Sequence, residues 1–142
     1  MGEQTGNDSS AAAQLLSLPG AVDGRLESAA KLDWYKFDGK KGASVTLHCR
    51  SRSLGGSVEP VVSFYGPSGR ELAHSSGRRR EPILTPTLPA DGQYRVRVAD
   101  RAYGRNEQSF YRLALLTGRR VIGCFPNVLQ RGSTRDVTLF GF

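Results

Sequence analysis

The chain has little of what most enzyme chemistry needs: two histidines, two cysteines, one tryptophan and one methionine in 142 residues. A hydrolytic triad requires a nucleophile, a base and an orienting group, and His48 and His74 are the only imidazoles on offer. His48 sits within a strand-like run and His74 ends one, and neither adjoins a nucleophile motif. No catalytic residue is therefore expected, and the chain is not read as an enzyme. Zinc needs several Cys or His ligands converging, whereas His48 and Cys49 are neighbours on one strand and point to opposite faces. Neither a metal site nor a cofactor is expected. Asp100, Asn106 and Glu107 bracket a loop with the oxygen donors calcium uses, but their spacing matches no calcium motif.

Long apolar runs are missing too. Nothing approaches the ~18 consecutive apolar residues of a membrane span, so no span is expected. The opening MGEQTGNDSS lacks both the basic start and the apolar run of an export signal. It carries Gly6 where a myristoylation site wants Ser or Thr. The other end stops inside a strand-like run, Asp136 to Phe140. Both ends are accordingly read as cuts from a longer protein, for which the missing signals decide nothing. The two cysteines leave two readings open. A Cys49–Cys124 disulfide would close a long loop in an oxidising compartment, while Cys49 serves equally as a small buried core residue.

Helical periodicity is also absent, and what replaces it is period two. Val45, Leu47 and Cys49 alternate with Thr46, His48 and Arg50; Tyr94, Val96 and Val98 alternate with Arg95 and Arg97; Tyr111, Leu113 and Leu115 alternate with Arg112, Ala114 and Leu116. Such runs place one set of side chains inward and the other outward. In Asp33 to Phe37 the same rule buries Tyr35 and Phe37 and leaves Trp34 partly exposed. Gly66-Pro67-Ser68-Gly69 suits a tight turn between Pro60–Tyr65 and Arg70–His74, and Pro86 confines Ile83 to Leu88 to an edge or a bulge. About eight short strands with turn signals every ten residues or so predict an all-β, antiparallel β-sandwich of jelly-roll type. Residues 1–14, rich in Gly, Ser, Asn and Ala, read as a flexible leader, with Ala11 to Leu16 long enough for one short helical piece capped by Asp8 or Ser9.

Charge is plentiful and lopsided. Residues 1–77 hold eight basic and eight acidic side chains and residues 78–142 hold twelve and five, so the whole excess of +7 lies in the second half. The run Arg78-Arg79-Arg80, in a loop to which Arg50 and Arg52 are candidate neighbours across the sheet, is its densest point. Guanidinium groups suit carboxylate, sulfate and phosphate, but like charges in a loop also keep a sheet edge from aggregating. The candidate binding residues are thus Arg78, Arg79 and Arg80, with Trp34 as the exposed aromatic. The alternating exposed aromatics of a base-stacking platform are lacking, so no specific nucleic-acid partner is expected.

Four pieces in register carry a family resemblance: Leu32-Asp33-Trp34-Tyr35-Lys36-Phe37 with Lys41-Gly42; Glu59-Pro60-Val61-Val62-Ser63-Phe64-Tyr65 with Ser68-Gly69; Leu88-Pro89-Ala90-Asp91-Gly92-Gln93-Tyr94-Arg95-Val96-Arg97-Val98; and Tyr111-Arg112-Leu113. Together they resemble the bacterial pre-peptidase C-terminal domain, over roughly Leu18 to Leu116. The Arg-Ser-Leu-Gly-Gly loop, with Phe125-Pro126 and Arg131-Gly132 further on, is similar to the variety found in large exported proteins of planctomycete-type bacteria, where an immunoglobulin-like module tends to follow. The resemblance implies a secreted or periplasmic setting and a non-catalytic accessory role, binding or spacing, beside neighbouring domains of a parent chain. It divides the chain into a leader (1–14), a sandwich domain (15–118), and a linker with the first strand of a following domain (119–142). The alternative is a module for acidic polysaccharide or another polyanion, using the arginine-rich second half.

Overall fold

The computed structural model describes residues 1–26, 31–76, 81–101, 108–118, 121–128, 130–132 and 134–141. The protein is all-β, and its strands follow the alternation in the sequence. Two sheets face each other, antiparallel throughout except for the short parallel edge strand β1. Strands β1 (Gln14–Leu15), β2 (Gly20–Arg25), β3 (Asp33–Gly39), β4 (Val45–Arg50), β5 (Pro60–Tyr65), β6 (Glu71–Ser76), β7 (Ile83–Leu84), β8 (Gly92–Asp100) and β9 (Phe110–Thr117) build them. The five-stranded sheet runs β1-β3-β8-β5-β6 and the four-stranded sheet β2-β9-β4-β7. Tyr94–Val98 and Tyr111–Leu115 lie on the central strands, as two-sided pairing of such apolar alternation demands. β7 is a two-residue edge followed by Pro86, in keeping with proline's missing donor.

The inward residues of both sheets form one core. Tyr35, Phe37, Val62, Phe64, Tyr94, Val96 and Val98 meet Val22, Val45, Leu47, Cys49, Leu113 and Leu115, with Leu26, Val58 and Leu88 closing the ends. Phe37, Phe64 and Tyr94 stack, with centroids 5.4–6.2 Å apart and planes within 16° of parallel. Each such side chain contributes about 1.5–3 kcal/mol by leaving water. Tyr94 resolves its one polar atom by donating from its hydroxyl to the Ala90 carbonyl at 2.7 Å. In the β5–β6 turn Gly69 holds φ +81°, a conformation glycine adopts without a side-chain clash, and its N–H donates to the Gly66 carbonyl at 2.9 Å. Gly39 is required by contact instead, because a Cβ there would lie 2.4 Å from Leu88 Cδ1.

Two expectations are corrected, and one open alternative is closed. Residues 1–14 are not a free leader: the Glu3 N–H donates to the Asp23 carbonyl at 2.9 Å, the Trp34 N–H donates to the Asn7 carbonyl at 2.7 Å, and β1 adds to β3 in parallel. Composition misleads here because an open sheet edge offers unpaired backbone groups to whatever chain lies beside it. The short helix is likewise replaced by a turn and β1. The disulfide alternative falls as well, since Cys49 is buried, Cys124 is exposed, and both are free.

Beyond the sandwich, β10 (Val121–Phe125) and β11 (Thr138–Gly141) form an antiparallel ribbon that, among the described strands, pairs with neither larger sheet. The β-prone segment near residue 140 thus finds its partner in Val121–Phe125. Leu139 and Phe140 on β11 and Phe125 on β10 remain exposed.

Candidate functional site

The outward positions of the five-stranded sheet do not read as a simple solvated face. Strand register brings Trp34, Arg97, Ser63 and His74 into one row across four strands. Leu15, Lys36, Arg95, Tyr65 and Glu71 form the next row. Trp34 and Tyr65 lean towards each other over the strand between them, with ring centroids 5.2 Å apart at 36°. The Arg97 guanidinium lies 5.9 Å from both centroids, close enough for the attraction between a cation and an aromatic face. One of its terminal nitrogens donates to Ser63 Oγ at 3.0 Å, which fixes the side chain under the rings.

Electrostatics follow from this packing. Burial raises the Tyr65 phenol above its ordinary range, so it stays a neutral hydrogen-bonding group. The Nε atoms of Arg95 and Arg97 are buried without a hydrogen-bond acceptor among the described residues. Three cations, Lys36, Arg95 and Arg97, share these two rows with one acid, Glu71, which is paired with His74 at 3.3 Å. The surface is an aromatic pair flanked by an excess of positive charge, with Asp38 the acid of the next row on the same face.

Most other charged groups are occupied with the fold. Arg112 clasps Asp23 through two bonds of 2.6 and 2.7 Å, which hold the Asp23 carboxyl below its usual range. Glu59 accepts from both Arg52 and Arg101. Burial works to raise the Glu81 pKa, but the backbone N–H groups of Ser53 and Ser51 and the Ser53 hydroxyl overcome it and leave the group lowered. Glu81 thereby anchors the short 3-10 turn at Arg52–Leu54. The Asp100 carboxylate accepts from the Glu59 N–H at 3.0 Å. Among the described residues no three His, Cys, Asp or Glu side chains converge to hold a metal ion, and no helix is long and apolar enough to cross a membrane.

Of the candidate binding residues, Trp34 lies on this face, on β3 beside the central strand β8. Arg78, Arg79 and Arg80 lie outside the described residues, as do Asn106 and Glu107 of the calcium candidate. Sequence reasoning passed over Tyr65 and treated Arg97 as ordinary solvent-facing charge. The signal was register: only pairing β3, β8 and β5 shows that positions 34, 97 and 65 adjoin. It also passed over Asp33, which is fully buried beside Tyr111 and Tyr35.

No protein-family model matches the chain, and no curated protein matches it. Solved structures do. The pre-peptidase C-terminal domain of a Bacillus anthracis collagenase superposes with a TM-score of 0.56 at 15% identity, over 72% of this chain and 93% of that one. PliG of Aeromonas hydrophila, a periplasmic inhibitor of g-type lysozyme, gives 0.60 at 19%, over 75% and 96%. The inhibitor of the same description from Salmonella Typhimurium gives 0.53 at 20%, over 74% and 97%. The chain therefore has the sandwich fold of a pre-peptidase C-terminal domain, and these similarities establish fold alone.

Proposed function

We propose that the protein is a non-catalytic accessory module of an exported bacterial protein and that it binds through the outer face of its five-stranded sheet. The observation that carries the reading is the Trp34–Arg97–Tyr65 group. Three different strands converge to hold an aromatic pair in one orientation, and Trp, Tyr and Arg are the residues that most often dominate binding surfaces. The fold neighbours support a non-enzymatic role: one is the pre-peptidase C-terminal domain of a collagenase and two are described as inhibitors. Their periplasmic and collagenase settings favour export. The domain boundary near residue 118 belongs to the same proposal, with residues 119–142 leading into a following module.

Adsorption of the purified chain to a panel of insoluble extracellular polymers tests the reading. Binding without release of soluble fragments, lost in Trp34→Ala at unchanged melting temperature, is the expected result. Fragment release by the chain itself would contradict it, as would adsorption indifferent to Trp34.

A further inference from the structure

Resting on that reading, we infer that the Trp34–Tyr65 face takes a linear acidic polysaccharide, a polyuronate whose sugar rings lie on the aromatic pair while its carboxylates meet Arg95 and Lys36.

The shape argument comes first. A pyranose ring presents a flat array of C–H bonds, slightly positive, which pack on the negative face of an aromatic ring. Trp34 and Tyr65, tilted 36° and centred 5.2 Å apart, brace each other, and both stay partly exposed on this face. A row that runs across four strands spans about 14 Å at the usual strand spacing, which suits an extended chain better than a single small molecule. A sheet face without walls cannot enclose a ligand, so the occupant must gain affinity by repetition along its length.

Charge then selects among polymers. The two rows hold Lys36, Arg95 and Arg97 against Glu71 alone. Glu71 is moreover engaged with His74. A neutral glycan would stack but leave the positive charge uncompensated. A carboxylate on every sugar supplies the acceptors that guanidinium groups bind in pairs of hydrogen bonds. Tyr65 shares its row with Lys36 and Arg95, so stacking and ion pairing need the same polymer direction, across the strands.

The test compares oligogalacturonate with its fully methyl-esterified form, which keeps the rings and removes the charge, by calorimetry on the full chain. The expected result is binding of the acid that weakens roughly tenfold or more as salt rises to ~0.5 M, and an ester about tenfold weaker. Trp34→Ala and Arg95→Gln should each lower affinity for the acid about tenfold at unchanged melting temperature. Equal binding of acid and ester, lost in Trp34→Ala, would overturn the acidic class while leaving the binding face intact. Acid binding that survives Trp34→Ala would overturn both, pointing to arginines elsewhere. Tighter binding of oligo(dT) than of oligogalacturonate would overturn the polysaccharide assignment in favour of a nucleic acid. Absence of binding to both sugar forms would overturn the inference, and the wider polymer panel would then decide the binding face by itself.

Discussion

The Tyr111 hydroxyl donates to Asp33 Oδ2 over 2.6 Å, bridging the two sheets at the single acidic side chain buried among the described residues. A hydroxyl has one proton to give, so Tyr111 must accept from Tyr35, whose oxygen lies 2.6 Å away. The result is a directed chain from Tyr35 through Tyr111 to Asp33. Asp33 Oδ1 finds no such donor, only Lys31 Nζ at 3.7 Å, and it faces the Glu3 carboxyl of the N-terminal arm. Glu3 is itself held by Lys31 Nζ at 2.9 Å and the Arg25 N–H at 2.7 Å.

Stability should fall as pH rises towards neutrality. Burial pushes Asp33 up to about 7 from 3.8, the Tyr111 bond opposes the rise, and the Glu3 carboxyl adds to it. The folded state then holds a proton that the unfolded chain has already lost, so the slope of unfolding free energy with pH is negative between the two values. Stability from the protonated group is complete below about 4 and gone above about 7. Melting temperature measured from pH 4.5 to 8 should decline across that window. Asp33→Asn, which stays neutral throughout, should flatten the decline and melt higher than the parent at pH 8, by several degrees for each ~1 kcal/mol recovered. A parent whose melting temperature rises over the same range would refute the assignment.

Removing the bridge should cost more than its one atom suggests. Tyr111→Phe leaves the buried Asp33 Oδ2 without its donor and the Tyr35 hydroxyl without its acceptor, a loss of about 1–3 kcal/mol. Gly24 tests the same spot from the other side, because a Cβ there would sit 2.5 Å from Tyr111 Cζ and hydroxyl oxygen. Gly24→Ala should destabilise by about 1–3 kcal/mol through overpacking. Urea unfolding of the two single variants and the double variant should show non-additivity, since the displaced ring can no longer make the bond.

What the sequence made legible was whatever obeys period two. Tyr35, Phe37, Tyr94 and Val96 face inward because alternation puts them there, and Trp34 is half-exposed for the same reason. Register is less legible, since it depends on turn geometry and on which strands become neighbours. For that reason the Trp34–Tyr65 pair, 31 positions apart in sequence, could not be read from either strand. Asp33 was hidden by a different cause. An inward position in a strand predicts an apolar residue, and a carboxyl there makes sense only when a hydroxyl from the opposite sheet is found to meet it. The arm at residues 1–16 escaped because its stability rests on backbone bonds to strand edges, which composition does not encode.

Thiol reactivity should separate the two cysteines cleanly. Burial raises the Cys49 thiol far above its usual range, with Glu81 and Asp33 adding in the same direction, so it stays protonated and shielded. Cys124 lies exposed on the ribbon. A thiol-specific chromogenic reagent at pH 8 should therefore titrate one group in the native protein and two in denaturant. Two fast groups in the native state would mean that β4 does not keep Cys49 inside.

The ribbon invites the last prediction, which tests the proposed boundary near residue 118. β10 and β11 bond only to each other among the described strands, and an isolated two-stranded hairpin is marginal in water. They also expose Phe125 at 68%, Leu139 at 62% and Phe140 at 52%, apolar surface of the kind that a neighbouring module or a second molecule covers. Both sheets of the sandwich, by contrast, are complete by Thr117, where β9 ends between β2 and β4. A chain ending at residue 118 should consequently keep the melting temperature of the full protein within a degree or two, about what a surface change of under 0.5 kcal/mol produces. Self-association, followed by sedimentation at rising concentration, should fall in the shortened chain, because the exposed strand edges and aromatic side chains leave with the ribbon. A loss of several kcal/mol on truncation would place residues 119–142 in the sandwich's own folding unit and move the boundary beyond them.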